Sequence, residues 1–226
     1  MRDGKIWQET DQDAPAPRTA LGHWQRLWAD LGAAGDSLAW HLRLIRAYSE
    51  KPRHYHTLEH LNECLCEFDA VRSQALQPAL VEIALWFHDA IYDPHSSINE
   101  EESAALSVSC LKGAQLPHEK IETVRQFILC TKTHQPGSLS DASLLIDIDL
   151  AILGQPPERF WAYENAIAAE YAWVPGETFR RKRAEILNGF LRRATLYRTA
   201  FFRHKYEAVA RANLAAAIAR LNVSLH

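Results

Sequence analysis

Hydrophobic side chains recur every three or four residues along most of the chain, the spacing that lines one face of an α-helix. The stripe formed by Leu21, Trp24, Leu27 and Trp28 is the first of these. The same pattern predicts further helices over about residues 38–48, 57–71, 78–92, 98–112, 117–133, 141–153, 157–172, 177–196 and 203–222. No alternating run rich in valine or threonine competes for a strand. We therefore expect an all-α fold, a single bundle of about nine or ten helices.

Proline and capping residues mark where these helices should begin and end. Thr57 suits an N-cap, Pro78 suits a first helical turn, and Pro94 ends the helix that begins there. Residues 1–18 are polar with alternating Ala-Pro, and they are predicted to form an irregular leader. The remaining residues, 19–226, are assigned to one helical domain.

The composition is that of an ordinary globular protein. The chain has 226 residues, of which 47% are hydrophobic and 23% charged, and its formal net charge is −3. A chain of this size buries roughly 70% of its unfolded surface, enough to enclose a dry metal site. This charge argues against a large nucleic-acid footprint, which requires a strongly basic domain. A small anionic substrate stays compatible with it.

The cysteines and the absence of long apolar segments bear on the compartment. The four cysteines form no CxxC pair, so we expect reduced and mostly buried thiols. The N-terminal residues contain no signal-peptide core, and no segment approaches about 18 uncharged apolar residues. These features predict a cytoplasmic protein without a membrane span, and they leave the oligomeric state open.

A His-Asp doublet carries the strongest chemical signal. His88 and Asp89 directly follow the apolar run ALVEIALWF, where ionisable groups are costly to desolvate unless something compensates them. A hydrogen-bonded core histidine and aspartate would be one explanation, and a metal ion is the other. The upstream histidines favour the metal, because His56 and His60 are four residues apart and share one face of a helix that includes both.

A further aspartate comes from LLIDIDLAILG, residues 144–154. Asp147 and Asp149 are two residues apart, roughly 200° around a helix, so they cannot both face one site. Asp149 has large aliphatic residues at its i±3 and i±4 positions, whereas Asp147 lies on a milder face. Asp149 is therefore preferred as the inward residue. Asp147 stays the alternative and is expected behind the ligands or facing solvent.

In this order, YHTLEHL, the doublet and DIDLAILG resemble the motifs of the HD-domain superfamily of metal-dependent phosphohydrolases. YHTLEHL also resembles the YHNxxHA motif of cyclic-nucleotide phosphodiesterases. The wider pattern, over most of residues 20–220, is similar to a group of bacterial predicted HD phosphohydrolases without a settled substrate. The resemblance implies four metal ligands and a general acid. The ligands are His60, His88, Asp89 and Asp149, and the acid is His56.

The chain also departs from these families. HD nucleotidases with an HDxxE motif have a catalytic glutamate three residues after the aspartate, and Tyr92 occupies that position here, followed by Asp93. The HDxxHxG motif and the purine-binding glutamine of the phosphodiesterases have no counterpart that we can place. Neither a nucleotidase mechanism of the HDxxE type nor cyclic-nucleotide specificity is therefore implied.

Three cations near the motifs are candidate substrate contacts. Lys132 and His134 end a predicted helix in a region where multi-metal HD proteins have an extra histidine. His134 is thus a phosphate contact, a second-metal ligand or a cation stabilised by the helix dipole. Arg53 would contact an anionic substrate or stay a solvated loop cation. The basic run at residues 180–183 is predicted to be an exposed helix face.

Two imidazoles and two carboxylates suit Mn, Fe, Co, Ni or Zn better than Ca, and Mg is also admitted. We expect one ion per chain, with room for a second. The expected reaction is hydrolysis of a phosphate mono- or diester of a small metabolite, foremost a nucleotide. Asp89 would orient the attacking water and His56 would protonate the leaving oxygen. The alternatives are a non-catalytic nucleotide-binding HD module, a di-iron HD-type oxygenase and a metal-free helical protein.

Overall fold

The computed structural model describes residues 16–137 and 140–223, and within these ranges the chain is all-helical. It forms ten α-helices and two short 3-10 helices, and no strand is present in the described ranges. The α-helices are α1 (Leu21–Leu31), α2 (Ser37–Tyr48), α3 (Leu58–Val71), α4 (Pro78–Phe87), α5 (Asn99–Gly113), α6 (His118–Thr133), α7 (Ala142–Asp149), α8 (Pro157–Glu170), α9 (Gly176–Leu191) and α10 (Ala200–Val223). The 3-10 helices are Arg72–Gln74 and Leu150–Gly154. The predicted all-α bundle of nine or ten helices is confirmed.

Several predicted boundaries are confirmed as well. The Thr57 hydroxyl accepts a hydrogen bond from the backbone N–H of Glu59 and caps α3, and Pro78 occupies the first turn of α4. Most of the predicted leader, residues 1–18, lies outside the described ranges. No described helix combines the length and apolar character needed to span a membrane.

Helix α4 forms the centre of the core. Every residue from Leu80 to Phe87 is buried, and the helix packs against α1, α3, α5, α6 and α7. A helix with neighbours on every side is apolar all round, which explains the uninterrupted run in the sequence. Glu82 is the one charged residue in that run, and its carboxylate pairs with Arg72.

The prediction that α4 continues to Tyr92 is wrong, because the helix ends at Phe87. Carbonyl groups at the end of a helix have no partner within it. Here the buried guanidinium of Arg53 donates to the carbonyl oxygens of Asp89 at 2.6 Å and Ala90 at 3.0 Å. The chain therefore turns directly after the helix, and this turn places His88 and Asp89 between α3 and α7.

Asp147 is fully buried, so the expectation that it could face solvent is wrong. Its carboxylate accepts hydrogen bonds from the backbone N–H groups of Arg198 at 2.9 Å and Thr199 at 2.7 Å, and from the Thr199 hydroxyl at 2.8 Å. These bonds lie immediately before α10. Asp147 therefore fixes the start of α10, and α10 begins at Ala200 rather than near residue 203.

Candidate metal centre

The four predicted metal ligands lie close together in space, although they come from three separate parts of the chain. His60 is on α3, His88 and Asp89 follow α4, and Asp149 ends α7. The Nε2 atom of His60 lies 3.1 Å from His88 Nε2, 3.6 Å from Asp89 Oδ2 and 3.4 Å from Asp149 Oδ1. His88 Nε2 lies 3.0 Å from Asp89 Oδ2 and 3.7 Å from Asp149 Oδ1.

These separations fit a shared divalent ion. Ligand atoms that each lie about 2.1 Å from one metal are roughly 3.0–3.4 Å apart in octahedral or tetrahedral geometry. The five distances between 3.0 and 3.7 Å are close to that range. Two imidazole nitrogens and two carboxylate oxygens therefore surround one position. Together they could hold a first-row transition metal ion there.

The orientation of His88 supports this arrangement. Its Nδ1 lies 2.7 Å from the carbonyl oxygen of Leu85. A carbonyl oxygen can only accept a hydrogen bond, so Nδ1 carries the proton. The lone pair of Nε2 then points toward the position that the other candidate metal ligands surround. A hydrogen bond on the far ring nitrogen is the usual way in which proteins orient a metal-binding histidine.

Cys64 is a neighbour of the centre that the sequence analysis missed. The ligand atoms of His60, Cys64, His88 and Asp149 all lie within 4.8 Å of one another, and the group could hold a metal ion. Cys64 is four residues after His60 on α3, so the two side chains lie on the same face of the helix. This spacing could have identified Cys64 as a neighbour of His60 from the sequence. All four cysteines are free, with Cys64 and Cys110 buried but Cys66 exposed, so the expectation of mostly buried thiols is only partly met.

The direction of the Cys64 side chain makes Asp89 the better fourth ligand. Cys64 Sγ lies 3.7 Å from both Nδ1 and Nε2 of the His60 ring. A sulfur equidistant from both nitrogens does not lie along the Nε2 lone pair. An ion about 2.1 Å from Nε2 along its lone pair would therefore be roughly 4–5 Å from this sulfur, whereas zinc–thiolate bonds are about 2.3 Å long.

The charges of the donors are mutually stabilising. Burial alone would lower the pKa of His88 and raise that of Asp89. The opposite charge of each partner outweighs burial, so the pKa of His88 is raised well above its usual value and that of Asp89 is held well below. His60 and Asp149 shift in the same two directions. Protons and a metal ion therefore compete for the same donors.

His56 lies beside the donors and is held by a residue that the sequence analysis missed, Glu170 at the end of α8. Glu170 Oε2 accepts hydrogen bonds from His56 Nδ1 at 2.8 Å and from the Tyr92 hydroxyl at 2.9 Å. Its Oε1 accepts from three consecutive backbone N–H groups, those of residues 54–56. Burial raises the pKa of Glu170, but these hydrogen bonds outweigh it and lower the pKa to about 2.

Glu170 could have been recognised from the sequence. It continues the stripe of Phe160, Tyr163 and Ile167 at helical spacing, all of them buried. Like Asp149, Glu170 is an acidic residue on an apolar stripe, a position in which a carboxylate needs a partner. With Nδ1 of His56 bound to Glu170, the other ring nitrogen, Nε2, is the one available for proton transfer.

A cavity of about 560 Å³ adjoins the centre. Among the predicted site residues, its walls include His56, Asp89, Lys132, His134 and Asp149. The two remaining ligand candidates, both histidines, are almost fully buried behind the carboxylates. The donors are thus reached from the cavity through their carboxylate side.

Two of the predicted substrate contacts lie on the cavity wall. His134 has a positive φ of 52°, and its Nε2 lies 3.5 Å from Asp149 Oδ2. Lys132 donates to the carbonyl of Ser97 at 2.6 Å and pairs with Glu101. Lys132 and His134 therefore line the same cavity as the donors Asp89 and Asp149.

Two other cations differ from their predictions. The Arg53 side chain has no exposed area, and its guanidinium is bound to backbone carbonyls, so it is not a solvated cation. The run at residues 180–183 is not wholly exposed, since Arg183 is buried. The Arg183 guanidinium bonds the Tyr163 hydroxyl at 2.6 Å and pairs with Glu164.

Comparisons with protein-family models, with curated proteins and with solved structures found no match. The all-helical fold and the buried group of histidine, cysteine and aspartate ligands are compatible with an HD domain. The geometry of the site is therefore the basis on which a function can be proposed.

Proposed function

We propose that this protein is a metal-dependent phosphohydrolase of the HD type. It would cleave a phosphate mono- or diester of a small metabolite at the centre formed by His60, His88, Asp89 and Asp149. The observation that carries the proposal is the convergence of these four donors at 3.0–3.7 Å beside a cavity of about 560 Å³. Cavities of this size accommodate small organic ligands.

The donor set determines what the centre would supply. When bound, a divalent ion would lower the pKa of a water molecule and polarise a phosphoryl oxygen. The Asp89 carboxylate, which is about one-sixth exposed, lies at the cavity and can accept a hydrogen bond from the attacking water. Lys132 and His134 lie on the same cavity wall and would attract the negatively charged phosphoryl group.

His56 would act as the general acid. The bond from Nδ1 to Glu170 fixes the ring, and stacking on Tyr92 at 4.0 Å between centroids fixes its plane. A proton on Nε2 can then be donated to the leaving oxygen. A positioned acid of this kind contributes roughly 10²–10⁴-fold to a hydrolytic rate.

The test combines metal analysis with a phosphoester panel. Protein stripped of metal is reloaded with Mn, Fe, Co, Ni, Zn or Mg, and its metal content and hydrolytic rate are measured. We expect His60→Ala and Asp89→Ala to lose the metal and at least about a hundredfold in activity, which is the upper end of what outer-sphere changes cost. The matched control is His118→Ala, because His118 is exposed at the start of α6.

Full metal content and full activity in both ligand variants would overturn the proposal. Binding of a phosphoester without turnover under every metal would favour the non-catalytic nucleotide-binding module instead. Two iron ions per chain with oxygen-dependent turnover would favour the di-iron oxygenase.

A further inference from the structure

One part of the cavity lining is apolar and largely aromatic. Helix α9 contributes Phe179, Ile186 and Phe190, which share one face of the helix at spacings of seven and four residues. The segment after α8 contributes Tyr171 and Trp173. We call these five side chains the aromatic wall.

The aromatic wall is continuous with the donor centre. On one side, the Phe190 ring lies 5.5 Å from the ring of His134, which is itself beside Asp149. Further along, Tyr171 lies 6.4 Å from both Trp173 and Phe179, at interplanar angles near 30°. A molecule bound through a phosphoryl group at the donors would therefore have its organic part against these rings.

The outer part of the aromatic wall is about half exposed. Trp173 is 53% exposed and Ile186 is 52% exposed, although both line the cavity. The His95 ring stacks on Trp173 at 4.1 Å. Large apolar side chains left open at a cavity beside a polar centre are typical of a ligand-binding surface.

The cations of the cavity limit how many phosphoryl groups it can take. Lys132 pairs with Glu101, and Arg183 pairs with Glu164. Lys182 lies 3.4 Å from Glu185. Because each of these lining cations already has a carboxylate partner, the cavity offers, beyond the Lys132 and His134 contacts to one phosphoryl group, no dense set of free charges of the kind that a triphosphate requires.

Two polar side chains of the cavity lining, those of Asn99 and Ser96, are occupied in holding the loop after α4. Asn99 is the one carboxamide among the described residues that line the cavity. Its Oδ1 accepts from the backbone N–H of Asp93 at 3.0 Å, and its Nδ2 donates to the Asp93 carbonyl at 2.9 Å. The Ser96 hydroxyl accepts from the N–H of Ile98 at 3.2 Å. The edge of a bound ring therefore has no free carboxamide to contact.

We propose that the substrate is an ester with a single phosphoryl group whose organic part carries a flat aromatic ring, and that this ring is bound by stacking on the aromatic wall without recognition of its hydrogen-bonding edge. A nucleoside monophosphate or an aryl phosphate belongs to this class. The inference deepens the proposed function and depends on it for the phosphoryl end, whereas stacking of the ring can be measured separately.

The kinetic test compares substrates with and without a ring. The metal-loaded protein is assayed with adenosine monophosphate, uridine monophosphate, p-nitrophenyl phosphate, adenosine triphosphate and ribose phosphate. We expect kcat/KM for the ring-bearing monophosphates to exceed that for ribose phosphate by about tenfold or more, because stacking of one base contributes roughly 1–3 kcal/mol. The adenosine and uridine esters should agree within about threefold, and the triphosphate should be the poorer adenosine ester.

Variants of Trp173 test whether the aromatic wall is responsible. Trp173→Ala should lower kcat/KM about tenfold for the ring-bearing esters and leave ribose phosphate unchanged. Trp173→Phe keeps a ring and should stay within about threefold of the wild type. Leu42→Ala is the control, because Leu42 is an exposed large side chain on α2 that does not line the cavity.

Binding gives a readout that does not depend on turnover. Adenosine, which lacks a phosphate, should quench tryptophan fluorescence in the wild type, and the quenching should fall in Trp173→Phe. The inference would be overturned, with the proposed function still standing, by either of two results. One is a kcat/KM for ribose phosphate equal to that for the ring-bearing esters, and the other is an equal loss for all substrates in Trp173→Ala. A preference above about tenfold between adenosine and uridine esters would show that the hydrogen-bonding edge of the ring is recognised, which contradicts the inference. If no ester is hydrolysed with any metal, the proposed function fails, and adenosine quenching alone decides whether the wall stacks rings.

Discussion

Glu170 Oε2 lies 2.8 Å from Nδ1 of His56, a contact between residues 114 positions apart in the sequence. The carboxylate is buried, and the hydrogen bonds it accepts include three from the backbone of the loop that carries His56. Glu170 is therefore a positioning residue. It sets the tautomer of His56 and the path of the loop before α3.

Replacing Glu170 with glutamine should reduce activity without removing the metal. The glutamine amide cannot accept as many hydrogen bonds as a carboxylate, so His56 loses its fixed orientation and its anionic partner. We expect kcat to fall about 10–100-fold with KM changed less than about threefold.

Glu158→Gln is the matched control, because Glu158 is exposed at the start of α8. It should leave kcat, KM and the pH profile unchanged. If Glu170→Gln lowered activity only in proportion to a loss of folded protein, the positioning role would be wrong.

The lowered pKa of Glu170 also predicts how stability depends on pH. The pKa is about 2 in the folded protein and 4.5 in its unperturbed state. Because the folded-state value is the lower one, Glu170 contributes stability that is fully present above pH 4.5 and is lost as the pH falls toward 2. The contribution is on the order of 3 kcal/mol, since each pKa unit corresponds to about 1.4 kcal/mol.

Urea denaturation at several pH values measures this dependence. In the wild type, the free energy of unfolding should fall between about pH 4.5 and the acid limit of the folded state. The slope in Glu170→Gln should be shallower over the same interval. Parallel curves for the two proteins would show that Glu170 is not the group responsible.

Loss of the hydroxyl group from either of two tyrosines beside the centre should change the free energy of unfolding differently. The Tyr55 hydroxyl is buried and has no hydrogen-bond partner among the described residues, whereas the Tyr163 hydroxyl accepts a hydrogen bond from Arg183 at 2.6 Å. Their rings lie 4.5 Å apart, so the two sites share one environment. A buried hydroxyl without a partner costs stability, and a satisfied one contributes it.

We therefore expect Tyr55→Phe to leave the free energy of unfolding of the metal-free protein unchanged or to raise it by up to about 1 kcal/mol. Tyr163→Phe should lower it by about 1–3 kcal/mol, because the buried guanidinium of Arg183 loses an acceptor. Denaturation of both variants with and without metal checks this. A loss of more than about 1 kcal/mol in Tyr55→Phe would contradict an unpartnered hydroxyl.

The sequence was sufficient for features that depend on local spacing. The helical periodicity, the Thr57 cap and the Pro78 start all follow from residues close together in the chain. It also led to Asp149, because an acid on an aliphatic face needs a partner. The geometry now places Asp149 with the two histidines, 3.4 Å from His60 Nε2.

Features that depend on contacts between distant segments were not predictable in this way. The end of α4 is fixed by Arg53, which binds carbonyls 36 and 37 positions further along the chain. Periodicity within the helix contains no information on such a partner. The same holds for Glu170, whose apolar stripe indicates burial but does not identify His56 as the group that it binds.

Asp147 and Asp149 are two residues apart but have different expected roles, capping of α10 and metal binding. Substitution of each should therefore have a different effect. Asp147 caps α10, and burial raises its pKa although the hydrogen bonds to residues 198 and 199 oppose this. Asp147→Asn should therefore lower the free energy of unfolding by about 0.5–2 kcal/mol, the usual cost of a lost helix cap. It should leave the metal content unchanged.

Asp149→Asn should show the reverse pattern. Metal that binds only the folded protein at a hundred times its Kd adds about 2.7 kcal/mol to stability, so the wild-type melting temperature should rise on loading and fall with a chelator. In Asp149→Asn this rise should be lost, whereas in Asp147→Asn it should persist from a lower starting temperature. A metal-dependent rise that disappears in Asp147→Asn and persists in Asp149→Asn would exchange the roles of the two aspartates. Such a result would require α7 to be rotated by roughly half a turn, because residues two apart on a helix lie about 200° from each other.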